Sequence, residues 1–239
     1  MCNGSIMDKL ISFSLPLMVS GILQLAFNAV DIIVVGRFSG SQALAAVGST
    51  TALINVFANL FIGISLGANV LAARFYAAGK DREMSETVHT SITLALISGI
   101  MMAVIGVLLA KWALEIMGTP DDVIGQSALY MRIYFMGMPF FMLYNYGAAI
   151  LRAIGDTKRP LIFLIISGIA NAALNMILVI LFHMGVAGVA IGTIISQLIS
   201  CVLVLTCLYR SEGSYQLRFS KLKINGAYME QIFQVGVPA

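Results

Sequence analysis

Six apolar runs, at roughly residues 11 to 35, 47 to 78, 89 to 111, 123 to 151, 160 to 182 and 187 to 209, are separated by short stretches that hold nearly all the charged side chains. Each run is long enough to cross a hydrocarbon core of about 30 Å as a helix. Water cannot satisfy backbone N–H and C=O groups in that medium, so a chain crosses it either as helices or as a closed barrel. The alternating strands of about ten residues that build a barrel are absent. The expected fold is therefore all-α: a polytopic membrane bundle of six transmembrane helices. Only 10% of the residues are charged and 59% are hydrophobic, against about a quarter charged in ordinary globular chains, which removes the soluble class.

Lysine and arginine set the orientation. With the N-terminus in the cytoplasm, one side collects Lys9, Arg74, Lys80, Arg82, Arg152, Lys158, Arg159, Arg210, Arg218, Lys221 and Lys223, and the other Arg37, Lys111 and Arg132. The imbalance predicts a multi-pass protein of the cell membrane, plasma or inner, with both ends of the six-span unit cytoplasmic. The net charge of +3 is on this reading a topology signal, and nucleic acid is not an expected partner. The first run is too long for a signal-peptide core and carries Pro16 and Asp31 without a small-residue cleavage site, so it stays in the protein. Cys2, Cys201 and Cys207 are odd in number, and the last two face different directions on a helix, so neither a disulfide framework nor a metal site is expected.

Between the runs, the amphipathic stretch Lys80 to Glu86 is expected at the inner surface. Asp121 and Asp122 suit the first turn of a helix after Gly118-Thr119-Pro120, and Gly155 to Pro160 makes a turn too tight for a domain boundary. Gly188, Gly192 and Ser196 present small residues every fourth position, which lets a neighbouring helix approach closely. The segment Met229 to Pro238 repeats the pattern of Met7 to Pro16 place for place, with its methionine and proline identical. This predicts an N-terminal six-helix lobe over 1–209, a cytoplasmic inter-lobe linker over 210–229 and the start of a second lobe over 230–239.

Asp31 is the only acidic side chain inside an apolar run. Buried acids are costly in a membrane and mark function, whereas a helix-bonding role needs no ionisable group. Gln24 and Asn28 precede it at helical spacing. The fifth run offers Ser167, Asn171 and Asn175, and the sixth Thr193, Ser196, Gln197 and Ser200, so three polar stripes can meet in one cavity. Taken singly, each Asn or Ser reads as an ordinary helix-to-helix hydrogen bond. Tyr130, Tyr134, Phe141 and Tyr144 are compatible with a cavity for an apolar cation or with plain packing. No second carboxylate joins Asp31, the two histidines lie near opposite span ends, and no phosphate loop occurs, so neither an enzyme nor a cofactor is expected.

The segments Val30 to Gly36, Leu44 to Gly48, Leu151-Arg152-Ala153-Ile154-Gly155-Asp156-Thr157-Lys158-Arg159-Pro160 and Gly185 to Thr193 together resemble the multidrug and toxic compound extrusion (MATE) family, with the Gly-Asp-Thr-Lys-x-Pro turn as the most specific element. The resemblance implies twelve helices in two six-helix lobes and export of organic, often cationic, compounds in exchange for protons or sodium. The present chain is similar to the first lobe. By the same resemblance Asp31 falls on an acid that takes part in ion coupling, with Asn175 and Thr193 on its polar partners; Gln24, Asn28, Asn171 and Tyr130 complete the expected binding set. Many relatives carry an aspartate where this chain has Val179, which sets a two-carboxylate site aside. The expected function is a secondary antiporter whose partners are a small-molecule substrate, a proton or Na+, the lipid bilayer and a second lobe of the same polypeptide. The alternatives are a lipid-linked precursor flippase, for which the spans lack lining cations, and a non-transporting membrane scaffold, in which Asp31 would be replaceable.

The restart at Met229 predicts that the natural polypeptide continues for roughly another 200 residues with five or six further spans. Sequencing the whole gene checks this, and a stop codon soon after Ala239 would defeat it.

Overall fold

A computed structural model describes residues 6–238; Cys2 and Ala239 lie outside the described residues, as do the side chains of Asp8 and Lys9. The described residues form eight α-helices and no strand: α1 Ile6–Phe38, α2 Gly40–Ala77, α3 Asp81–Ile116, α4 Asp121–Met136, α5 Met138–Ala153, α6 Lys158–Met176, α7 Gly185–Arg210 and α8 Gly226–Gly236. A π-helical turn, Ile177–Leu181, extends α6, and a 3-10 turn, Phe219–Lys221, lies in the segment before α8. The all-α membrane bundle expected from the apolar runs is what forms. Five helices are each long and apolar enough to cross a bilayer: α1, α2, α3, α6 with its π turn, and α7.

The fourth apolar run departs from expectation. It is not one helix but two of 16 residues each, α4 and α5, joined through Gly137. Pro139 is the physical reason: it has no N–H for the carbonyl four residues back, and its ring collides with that carbonyl. Gly137 keeps right-handed dihedrals (φ −81°, ψ −10°), so the helical path resumes at once.

Three of the hairpins between crossings close by the same device. Gly79, Gly118 and Gly155 take positive φ, where a Cβ would be strained. The residue after each then donates its N–H back over the helix end: Lys80 to Phe75 O at 3.0 Å, Thr119 to Leu114 O at 3.1 Å and Asp156 to Leu151 O at 3.0 Å. In the third hairpin the Asp156 carboxylate also accepts from the Arg159 N–H at 3.1 Å and pairs with its guanidinium, which starts α6. That is the physical content of the Gly-Asp-Thr-Lys-x-Pro turn.

Packing is closest where glycine removes a side chain. On α3, a Cβ on Gly99 would stand 2.5 Å from the Pro139 Cα, and Gly106 lies under the Phe135 ring, so α3 receives both halves of the broken helix. Gly147 of α5 faces Val204 of α7, and Gly67 of α2 faces the Ile232 carbonyl of α8. The large core between these helices holds Met84, Phe135, Met142, Tyr146 and Leu208, all buried. Apolar side chains remain exposed along α1 (Leu15, Ile22, Leu25), α3 (Ile100, Val104, Leu108) and α6 (Ile162, Ile166, Ile169). Surface of that extent and chemistry suits hydrocarbon rather than water.

Two glycine substitutions should move stability in opposite directions. Gly99→Ala forces a Cβ into Pro139 and should cost about 1–3 kcal/mol. Gly125→Ala, on the exposed side of α4 with open space around it, should gain about 0.5–1 kcal/mol from reduced chain entropy. Thermal unfolding of the purified protein in detergent checks both, and equal effects would contradict the α3–α5 seam.

Candidate functional site

Asp31 lies in the last two turns of α1, half-buried against α6. Its Oδ1 accepts a hydrogen bond from Asn175 Nδ2. The same amide nitrogen donates to Asn171 Oδ1 at 3.2 Å, and Asn171 Nδ2 in turn reaches Thr193 Oγ1 of α7 at 3.4 Å. Thr193 closes the chain by donating to Val189 O at 2.9 Å. Three helices are thus threaded by one line of polar groups, Asp31–Asn175–Asn171–Thr193. Both N–H bonds of the Asn175 amide are committed, which fixes its orientation: a flip would set Oδ1 against the carboxylate oxygen.

Glycine makes this approach possible. The buried Asn175 Oδ1 finds no hydrogen-bond donor and lies directly against Gly192 of α7, where any Cβ would collide with it. One helix over, the Phe27 ring of α1 occupies the space a side chain on Gly168 would fill. Gly192 and Gly168 therefore seat α7 and α1 on α6 at the level of the polar line. Of the small-residue pattern Gly188, Gly192 and Ser196, the two glycines face a neighbour as the spacing suggests, Gly192 meeting Asn175 of α6 and Gly188 meeting Leu178 of the π turn that extends it.

Of the other candidate residues, the structure places Tyr130 in a buried cluster with Val34, Val35, Val179 and Val186, its ring 6.2 Å from that of Tyr134. Val179 sits in the π turn that follows Asn175 and adds only apolar packing. Gln24 and Asn28 do not join the hydrogen-bonded line. They are exposed on α1, two turns and one turn before Asp31 respectively, on a face that neither α6 nor α7 covers. The hydroxyls of Ser167, Ser196 and Ser200 bond to carbonyls of their own helices, and Tyr144 donates to Pro160 O at 3.1 Å, tying α5 to the start of α6.

Gln197 has a more specific place than its stripe implied. Its buried Oε1 stands where a Cβ on Gly137 would be 2.8 Å away, so the break in the fourth crossing and the α7 amide share one space. The Gly137-Met138-Pro139 sequence inside an apolar run is the signal that points to this break.

Comparisons with known proteins agree with this architecture. A family model described as MatE matches residues 16–177. The chain is 34% identical over 236 residues to the "Probable multidrug resistance protein YoeA" of Bacillus subtilis (strain 168), covering 95% of this chain and 50% of that protein. It is 28% identical to the "Multidrug export protein MepA" of Staphylococcus haemolyticus (strain JCSC1435), over 99% of this chain and 52% of that one. The solved structure titled "Crystal structure of MATE in the bent conformation" superposes with a TM-score of 0.91 at 22% identity, over 98% of this chain and 52% of that chain. The chain thus spans about half the length of the relatives it matches.

The contact of Asn175 with Gly192 can be measured as a coupling energy. Gly192→Ala alone should destabilise the protein by about 1–3 kcal/mol. In an Asn175→Ala background most of that cost should vanish, a coupling of about 0.5–3 kcal/mol between touching residues. Additive effects in the four-protein thermal-unfolding cycle would mean that the two do not meet.

Proposed function

The chain belongs to the MatE family, and from that premise we propose that it forms the first lobe of a secondary active antiporter, a transporter and not an enzyme. The substrate class is organic, cationic, drug-like compounds, exported across the cell membrane in exchange for protons. The names of relatives, a multidrug resistance protein and a multidrug export protein, support the efflux reading.

The observation that carries it is the line Asp31–Asn175–Asn171–Thr193: one ionisable group of α1 among neutral partners of α6 and α7. In this reading Asp31 is the exchangeable charge. Asn175 holds its carboxylate, Asn171 and Thr193 hold Asn175, and Tyr130 walls the site on the α4 side. Gln24 and Asn28, on the uncovered face of α1, line the substrate path that a second lobe would complete. Rocking of the two lobes about the site would expose it alternately to either side. The N-terminus lies in the cytoplasm on this reading.

The orientation of Asn175 favours a proton over a sodium ion. A metal site gathers several oxygens around one point, but the Asn175 oxygen is turned toward Gly192 and its nitrogen toward Asp31. A lone carboxylate held this way can take up and release a proton with no further ligand. The absence of any cation from the polar line also favours a cationic substrate over the anionic, lipid-linked substrate of a flippase.

Full-length protein in sealed vesicles tests both parts. Efflux should follow an imposed pH gradient, and Asp31→Asn should insert at near wild-type abundance yet lose about tenfold or more of the transport rate, because it keeps size and polarity but cannot exchange a charge. Transport that follows a sodium gradient and ignores pH would overturn the proton assignment. Near-normal efflux from Asp31→Asn would return Asp31 to a structural role.

A further inference from the structure

Far from the polar line, where α3 begins, the segment between α7 and α8 folds over the helix end and leaves a cleft of about 770 Å³. Two buried side chains pin the segment there. His89 Nδ1 donates to Ser85 O at 2.7 Å, so its Nε2 is free to accept from the Arg218 N–H at 3.1 Å. Thr90 Oγ1 accepts from the Asn225 N–H at 3.2 Å and reaches Lys223 O at 3.4 Å. The cleft is therefore a built feature, held by bonds between segments more than a hundred residues apart in sequence.

Its charge is unbalanced. The one carboxylate on its wall, Glu86, is answered on one oxygen by Arg82 at 3.1 Å and on the other by Asn225 Nδ2 at 2.9 Å. Arg82 and Glu86 thus cancel. Lys221 and Lys223 remain, both exposed on the rim, and among the described residues neither has a carboxylate within salt-bridge distance.

The surroundings are those of a bilayer interface. Tyr209 and Phe219, each about half exposed, stack with ring centroids 5.7 Å apart, and Tyr76 meets Tyr215 edge-on at 6.3 Å. Aromatic rings of this kind settle at headgroup level. Through Phe219-Ser220-Lys221-Leu222-Lys223-Ile224 the lysines alternate with partly buried Leu222 and Ile224, so that apolar stems face the protein and ammonium groups face outward. This end of the bundle is also the one to which most of the lysine and arginine of the chain belongs.

We propose that this cleft binds the phosphate of an anionic phospholipid headgroup, with Lys221 and Lys223 as the cations that hold it. A dissolved phosphate compound offers the same anion, but the aromatic anchors place the cleft where headgroups are concentrated, and basic pockets at such a site select anionic lipid. The proposal does not depend on the transport reading.

The test uses the full-length protein in nanodiscs of phosphatidylcholine with or without phosphatidylglycerol, and counts lipids retained on the protein by native mass spectrometry. Wild type should retain phosphatidylglycerol selectively. Lys221→Gln with Lys223→Gln should weaken that retention roughly twenty-five-fold, about fivefold for each lysine. Lys111→Gln, which removes one positive charge at the opposite end of α3, should leave it unchanged. Retention that survives the double substitution, or falls equally with Lys111→Gln, would overturn the site. Inorganic phosphate added to protein in pure phosphatidylcholine should leave no adduct, and an adduct lost in the double variant would overturn the lipid assignment in favour of a soluble anion.

Discussion

Lipid tails solvate a leucine about as well as another helix does, so helices in a bilayer gain little from apolar contact alone and must instead come close enough for dense packing and interhelical hydrogen bonds. In this protein that closeness rests on glycine. Gly99 and Gly106 admit the two halves of the broken fourth crossing to α3, Gly67 admits the backbone of α8 to α2, and Gly168 and Gly192 seat α1 and α7 on α6. A side chain at either of the last two would collide with Asn175 or with Phe27, beside the line that joins Asp31, Asn175, Asn171 and Thr193. The polar line is a product of close packing before it is a product of polarity.

That line also shows how a membrane protein holds an acid in its interior. An unpaired polar group in an apolar environment costs several kcal/mol at most reference states, about 2–7, so each member must be given a partner. Asn175 supplies one N–H to Asp31 and the other to Asn171, and the deficit is passed along to Thr193 and a backbone carbonyl. One atom is left over, Asn175 Oδ1, which has no donor and lies against Gly192. One buried oxygen without a donor thus stands beside the single acid of the apolar runs.

Much of this was legible beforehand, residue by residue. Five crossing helices follow from apolar length, the capped turns at Gly118 and Gly155 from glycine before helix-starting acids or proline, and Asp31 from being an isolated carboxylate in an apolar run. Asn175, Asn171 and Thr193 were legible only as stripes, because helical spacing says which residues share a face and not which face meets which. Gln24 and Asn28 share the Asp31 flank as expected, yet lie on surface that α6 and α7 leave uncovered. The break at Gly137 was written in Pro139, but hydropathy does not register a missing N–H. Gln197 needed the fold, since its place beside Gly137 depends on the contact between α4, α5 and α7.

By itself the sequence determined that the chain crosses a membrane as helices, where those helices turn, and that one acid among them is singular, because each of these depends on local composition and backbone chemistry along a continuous stretch. Only the tertiary structure decided that Asp31 meets Asn175, that the Asn175 oxygen turns toward Gly192, and that His89 and Thr90 hold a distant segment over a lysine-rimmed cleft. Those facts depend on which helix faces and which loop are brought together across more than a hundred residues, and close approach at a glycine is a property of two segments that neither one encodes alone.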